Sequence, residues 1–233
     1  MLSNDFKIVP LGDNALKLIL GEMISLSIHR KINQLVQIIR NEIKNKSITD
    51  ILPTYKSIVI YFDPEKLTFN QLKNVISKID LSSTDYSKKK DLIKEIPVCY
   101  GGDFGPDLKI IAEKKGLTEK NVIEIHSKEL YTVFMIGFTP GFPYLGIVPP
   151  EIQMPRMATP RKIVFKGSVG IANEQTGIYS TDNPGGWRII GRTPINLFNN
   201  SLENPSFLES GNQVKFTIIS ENEFKKLENS NPY

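Results

Sequence analysis

Residues 137–194 hold four of the chain's six arginines, Arg156, Arg161, Arg188 and Arg192, and its single tryptophan, Trp187. They also hold nine of its 16 glycines and eight of its 15 prolines. Elsewhere positive charge comes mainly from lysine. Lysine suits a solvated face, whereas arginine suits planar, bidentate or stacked contacts. Glycine permits close backbone approach and proline fixes φ. The stretch therefore reads as shaped turns presenting a binding surface. In PRMATPR, Arg156 and Arg161 each follow a proline, and proline keeps its predecessor extended, so both guanidinium groups hang from a stiff segment. Two pre-placed forks suit a carboxylate or a phosphate. Ion pairs on an edge strand are the alternative.

Further along, Gln175, Thr176 and Tyr179 are polar groups on a strand bracketed by glycines. They suit orientation of a small ligand, or cross-strand hydrogen bonding. Trp187 follows a double glycine and reads as a core residue or a ligand platform. Arg188 and Arg192 would share a face of an ideal strand. No Walker or Gly-x-Gly-x-x-Gly spacing is present. Ser168 in KGSVG lacks the Gly-x-Ser-x-Gly spacing of a nucleophile elbow. His126 has no evident Ser or Cys partner and reads as a cation at a helix C-terminus. Carboxylates in the stretch are few (Glu151, Glu174, Asp182), which disfavours a two-acid mechanism. GFTPGFPYLGIVPP sets Phe138, Phe142, Tyr144 and Leu145 among turn-formers, as a partner contact or as a plug for the end of a barrel.

The elements that must carry these groups fall into two blocks. Residues 6–9 and 15–20 predict strands joined at Gly12-Asp13-Asn14. Apolar positions at 28, 32, 35, 36, 39 and 43 predict a helix. Strands over 48–52 and 57–62 follow, then a helix opened by the capping-box pair Thr68 and Gln71. This is a small α+β domain over 1–85, an antiparallel sheet with helices on one face. Residues 82–91 are polar and aperiodic and read as a linker. From 92 to 225 the pattern is a strand (LIKEIPVCY), a helix from Pro106 ended by Gly116, and a short helix capped by Thr118. Short apolar runs between turn signals come next: YTVFMIGF, KIVF, SVGIA, GIYS, WRIIG, INLF and VKFTII. They predict an all-β barrel or sandwich. The tail after Ser220 is polar and reads as frayed.

Composition narrows the function. The formal net charge is +4, with basic residues scattered and no aromatic-interleaved stripe, so nucleic acid is not the expected partner. One cysteine, Cys99, and two distant histidines disfavour a metal site and exclude an internal disulfide. No window of 18 apolar residues and no leader-like N-terminus is seen, so no membrane span and a cytoplasmic location are expected.

GFTPGFPYLG, PRxxxPR, GSVGIA, QTGIY, PGGW and IGRTP, in this order, resemble the allophanate hydrolase subunit 1 family, and the likeness extends weakly to HRKINQLV near the N-terminus. Asn173, Ser180, Phe165-Lys166 and Gly211-Asn212 depart from the family pattern, all in turns. The resemblance implies an N-terminal α+β domain and a C-terminal cyclophilin-like β-barrel. It further implies one component of an ATP-dependent 5-oxoprolinase, opening the lactam of 5-oxo-L-proline to L-glutamate together with partner subunits C and A. ATP, with Mg, is then the co-substrate. Two alternatives remain: an inhibitor protein that binds a sporulation histidine kinase, and a component handling another small amide of the urea or allophanate type. No catalytic residue is carried over. The substrate-binding candidates are Arg156, Arg161, Gln175, Thr176, Tyr179, Trp187 and Arg192. The partner-binding candidates are Phe138, Phe142, Tyr144 and Leu145.

Overall fold

The structure, a computed structural model, describes residues 6–42, 47–79 and 93–230. The chain divides into two compact units, Met1–Lys90 and Asp91–Tyr233. The segment 82–91, read as a linker, lies outside the described residues.

In the first unit, strands β1 (Lys7–Pro10), β2 (Ala15–Ile19), β3 (Ile48–Pro53) and β4 (Ser57–Phe62) form an antiparallel sheet in the order β1-β2-β4-β3. Alternation sets its buried face. Leu16 pairs with Ile60 and Leu18 with Ile58, and all four are fully buried. Helices α1 (Leu26–Glu42) and α2 (Phe69–Ile76) cover that face with Ile32, Leu35, Ile39, Leu72 and Ile76, which share one core with the strands. Thr68 and Gln71 form the expected capping box at the start of α2.

The second unit is built on a closed barrel. Its strands are β5 (Ile93–Tyr100), β6 (Leu130–Ile136), β7 (Pro143–Gly146), β9 (Ser168–Ala172), β10 (Gln175–Ile178), β12 (Arg188–Arg192) and β13 (Gln213–Ile218). Around the barrel they run β10-β7-β6-β13-β5-β12-β9. β5 and β13 pair in parallel; the other pairings are antiparallel. A separate ribbon joins β8 (Arg161–Val164) to β11 (Asn183–Gly185). Helices α3 (Leu108–Lys115) and α4 (Glu119–Lys128) contribute Leu108, Ile111 and Val122 to the core that holds Ile96, Val133, Ile171, Ile190 and Phe216. Gly116, at φ 66°, ends α3, and Thr118 caps α4 through Asn121.

Two local expectations fail. INLF (195–198) forms no strand: it makes an isolated bridge, Phe198 to Ser206, flanked by Phe207 N donating to Leu197 O and Asn199 N donating to Pro205 O. The polar tail forms α5 (Glu221–Ser230), capped reciprocally by Ser220 and Glu223 and anchored by Phe224, 3% exposed. The turn-rich segment around Tyr144 contains a barrel strand, β7. No helix among the described residues is long and apolar enough to cross a membrane.

Candidate functional site

Adjacent residues of the barrel strands serve two different cores. Ile171, Ile178 and Ile190 enter the main core, while their neighbours Ala172, Tyr179 and Ile189 join Phe142, Val164 and Trp187 on the opposite face of the strands. A cross-strand glycine pair, Gly170 opposite Gly177, makes room for this second layer. A Cβ at Gly177 would stand 2.9 Å from the Trp187 ring and 3.1 Å from Phe142, and one at Gly170 would stand 3.1 Å from Trp187 Cβ. Trp187 therefore lies flush and is 4% exposed. Phe142 meets it edge-on at 5.5 Å, and Tyr179 meets Phe142 at 5.3 Å. Tyr144 borders the layer, 5.9 Å from Trp187. Burial pushes both tyrosine hydroxyls above the usual phenol range, against the pull of Arg156, so both stay neutral donors.

For Phe142 and Leu145, this placement corrects the reading of the aromatic segment as a partner contact. Phe142 (1% exposed) and Leu145 (0%) are interior, so neither can anchor a partner from the surface. Phe138 is 60% exposed and sits at φ 69°, a backbone region costly for a bulky side chain. The loop enforces this: Gly137 N donates to Phe142 O, Phe142 N donates to Thr139 O, and the Thr139 and Ser180 hydroxyls lie 3.1 Å apart.

Beside the aromatic layer lies a charged one. Asp107 is 1% exposed. It stands at the N-cap of α3 yet makes no side-chain cap bond. Its carboxylate turns to β12 and β8 instead. One oxygen accepts from Ile189 N at 2.7 Å; the other accepts from Arg161 Nη2 at 2.9 Å and has Arg188 Nη1 at 3.9 Å. A charge buried this far is tolerable only when paired and hydrogen-bonded. Arg156 is exposed, its guanidinium 5.7 Å from the Trp187 ring centroid. Arg188 Nε is buried without a hydrogen-bond partner. Met157 N donates to Gly186 O at 2.7 Å, which ties PRMATPR to PGGW. Three guanidinium groups against one carboxylate leave surplus positive charge next to an aromatic floor. Such a surface can take a carboxylate-bearing small molecule.

Of the substrate-binding candidates, Arg156, Arg161, Tyr179 and Trp187 come together. Arg192 does not. Its Nε donates to Lys166 O at 2.8 Å, and it lies against Phe165 and Phe224. Gln175 opens β10 opposite Ala172 and Gly146. Thr176 is fully buried on the main-core side, where its hydroxyl donates to Gly170 O at 3.0 Å and meets His126 Nε2 at 3.0 Å. It is a poor ligand contact for that reason. Since the Thr176 proton goes to Gly170 O, His126 donates from Nε2, and its bare Nδ1 accepts from Tyr100 Oη at 2.9 Å. His126 is thus a neutral, fully buried link between α4 and the barrel wall, with burial pulling its pKa down to about 3, rather than a cation at a helix end. No sequence pattern marks Asp107, because its partners lie 54 and 82 residues away.

The model of the carboxyltransferase domain, subdomain C and D, matches residues 6–208. The chain is 36% identical to the 5-oxoprolinase B subunit of Bacillus subtilis, over 94% of this chain and 95% of that one. It is 37% identical to the 5-oxoprolinase B subunit of Escherichia coli O157:H7, over 88% and 93%. The crystal structure of a conserved uncharacterized protein from Pyrococcus horikoshii is 41% identical, with a TM-score of 0.57, over 94% of this chain and 100% of that one. The long motifs that suggested the allophanate hydrolase subunit 1 family are thus carried through nearly the whole chain, which belongs to the family defined by the carboxyltransferase domain, subdomain C and D.

Proposed function

We propose that this chain is one component of a 5-oxoprolinase complex and that its Arg156–Arg161–Trp187 face binds the small lactam acid. The observation that carries the reading is the surplus of guanidinium charge held by buried Asp107 beside the aromatic layer, in a chain whose relatives are named as B subunits of 5-oxoprolinase. The substrate, 5-oxo-L-proline, offers one carboxylate and one amide ring. Arg156 is exposed and free to close on the carboxylate as a fork. Arg161 and Arg188, pinned to Asp107, hold the potential that draws the anion in. Tyr144 and Tyr179, kept protonated by burial, are neutral groups that can donate to a ligand oxygen.

An unstrained lactam resists water, and ATP supplies the driving force by activating the amide oxygen. The residues around this face do not fit a triphosphate. The nearest helix start, at α3, has Asp107 as its N-cap residue, and that buried carboxylate opposes a second negative charge there. In the glycine turn before it, Gly101 N donates to Ile190 O and Gly105 N to Gly101 O. A phosphate cradle needs those amides free. Nucleotide binding, with its Mg, is therefore assigned to a partner, and the A and C subunits are the proposed ones. The barrel, of cyclophilin-like kind, then serves as the substrate-holding part of a composite enzyme.

The test is reconstitution. The chain alone should show no 5-oxoproline-dependent ATP hydrolysis, and addition of the A and C subunits should restore it. Full activity from the isolated chain would reject the reading as one component of a complex. Arg156→Lys keeps the charge and loses the fork, so it should raise KM for 5-oxoproline in the complex about tenfold, the order of one charged hydrogen bond, with an unchanged melting temperature. An unaltered KM would remove Arg156 from the site.

A further inference from the structure

Arg192 lines a cavity of about 400 Å³ together with Lys166, Asp182, Thr193, Asn196 and Glu228. It stands at the opposite end of β12 from Arg188, roughly 13 Å along the strand. The cavity is thus separate from the face proposed above. We propose that it is a second binding site, built for a small zwitterion of the α-amino acid class.

The argument begins with how Arg192 is held. Its Nε donates to Lys166 O at 2.8 Å. Its guanidinium lies 5.8 Å from the Phe165 ring and 5.9 Å from that of Phe224, the buried anchor of α5. Two aromatic contacts and one backbone bond immobilise the fork, yet its two terminal nitrogens have no hydrogen-bond or ion-pair partner among the described residues. An arginine fixed in advance loses little entropy when a carboxylate arrives.

The other charges in the cavity are also kept from cancelling. Asp182 is committed on one oxygen, which accepts from Lys166 N at 2.6 Å. Among the described residues, neither Lys166 nor Arg192 comes within ion-pair distance of Asp182 or Glu228. Charges of both signs thus line one cavity without pairing with each other. A simple anion would meet two carboxylates there, and a simple cation would meet Lys166 and Arg192. A ligand carrying both charges satisfies each side. Its carboxylate belongs at Arg192. Its ammonium belongs near Glu228, in the last turn of α5, where the helix dipole adds negative potential. Asn196 supplies a neutral amide for whatever side chain the ligand carries.

This inference stands apart from the lactam reading, and the test separates them. The full chain is titrated by calorimetry with glycine and with L-alanine, and at the same ionic strength with acetate and with methylammonium. At least one zwitterion should bind, tenfold or more tighter than acetate or methylammonium. Arg192→Gln and the exposed Glu228→Gln should each weaken it tenfold or more, while Arg156→Gln leaves it unchanged. Glu228→Gln keeps the test decisive if Arg192→Gln does not fold. Failure of both zwitterions to bind, or equal binding of acetate, would overturn the proposal. Loss of binding in Arg156→Gln without loss in Glu228→Gln would overturn it as well and place the ligand on the other face.

Discussion

Asp107 carries its charge where water does not reach, and the surrounding groups answer it: a backbone amide on one oxygen, Arg161 and Arg188 on the other. Removing one member of such a pair exposes the other to an uncompensated environment. Asp107→Ala should therefore lower stability by about 3 kcal/mol or more in urea denaturation. In Asp107→Ala with Arg161→Met, the loss should be smaller than the sum of the single losses, since the Asp107–Arg161 pair is then removed as a unit. Strict additivity would mean that the pair is incidental. His126 makes an opposite demand, because it must stay uncharged. Its folded pKa is about 3 against 6.5 for a free imidazole. Below pH 6.5 the unfolded chain takes up a proton that the folded chain refuses, so stability falls as pH drops from 6.5 towards 3. The slope contributed approaches about 1.4 kcal/mol per pH unit. Its neighbours Tyr100 and Tyr131 are neutral throughout that range and do not offset it. His126→Gln should flatten the pH dependence of stability by that amount, and an unchanged slope would refute the assignment.

At the scale of elements, the aromatic layer is a packed core, and its energetics follow from volume. Phe142→Ala should cost roughly 3–5 kcal/mol, as buried Phe truncations do. Because Trp187 is the only tryptophan and touches Phe142, its fluorescence emission should shift to the red in the same variant. A fully stable variant with native emission would show that Phe142 does not support Trp187. The elements also show what local patterns can and cannot reveal. Thr68 with Gln71, Thr118, and Gly116 are local devices whose partners lie within a few residues, and they act as their spacing implies. Ser220 and Glu223 spell the same capping signal and define α5, a signal easily passed over because only Phe224 and Leu227 give that helix an apolar side. The Arg-rich, Gly-rich stretch was legible as the segment that supplies the arginines and the tryptophan of the candidate site. Its division was not. Whether Arg192 joins Arg156 or turns to Phe224, and whether Thr176 faces a ligand or His126, depends on barrel closure, which no short-range pattern encodes.

At the scale of the whole molecule, each unit has its own buried core. A fragment spanning 91–233 should therefore melt cooperatively by itself. A non-cooperative fragment would show that the two units form one folding unit. Within the second unit, barrel closure rests on the parallel pairing of β5 with β13, from Ile93 opposite Gln213 to Val98 opposite Ile218. The first strand of the barrel thus waits for the last. During synthesis on the ribosome, β5 emerges with its partner more than a hundred residues away, and the seam cannot form until β13 has left the exit tunnel. Until then the hydrogen-bonding edges of β5 and β6 that β13 will cover are open to other chains. A chain released early, by truncation or a premature stop before β13, keeps nearly every residue of the candidate site and none of the seam. Its fate is edge-to-edge aggregation rather than partial activity.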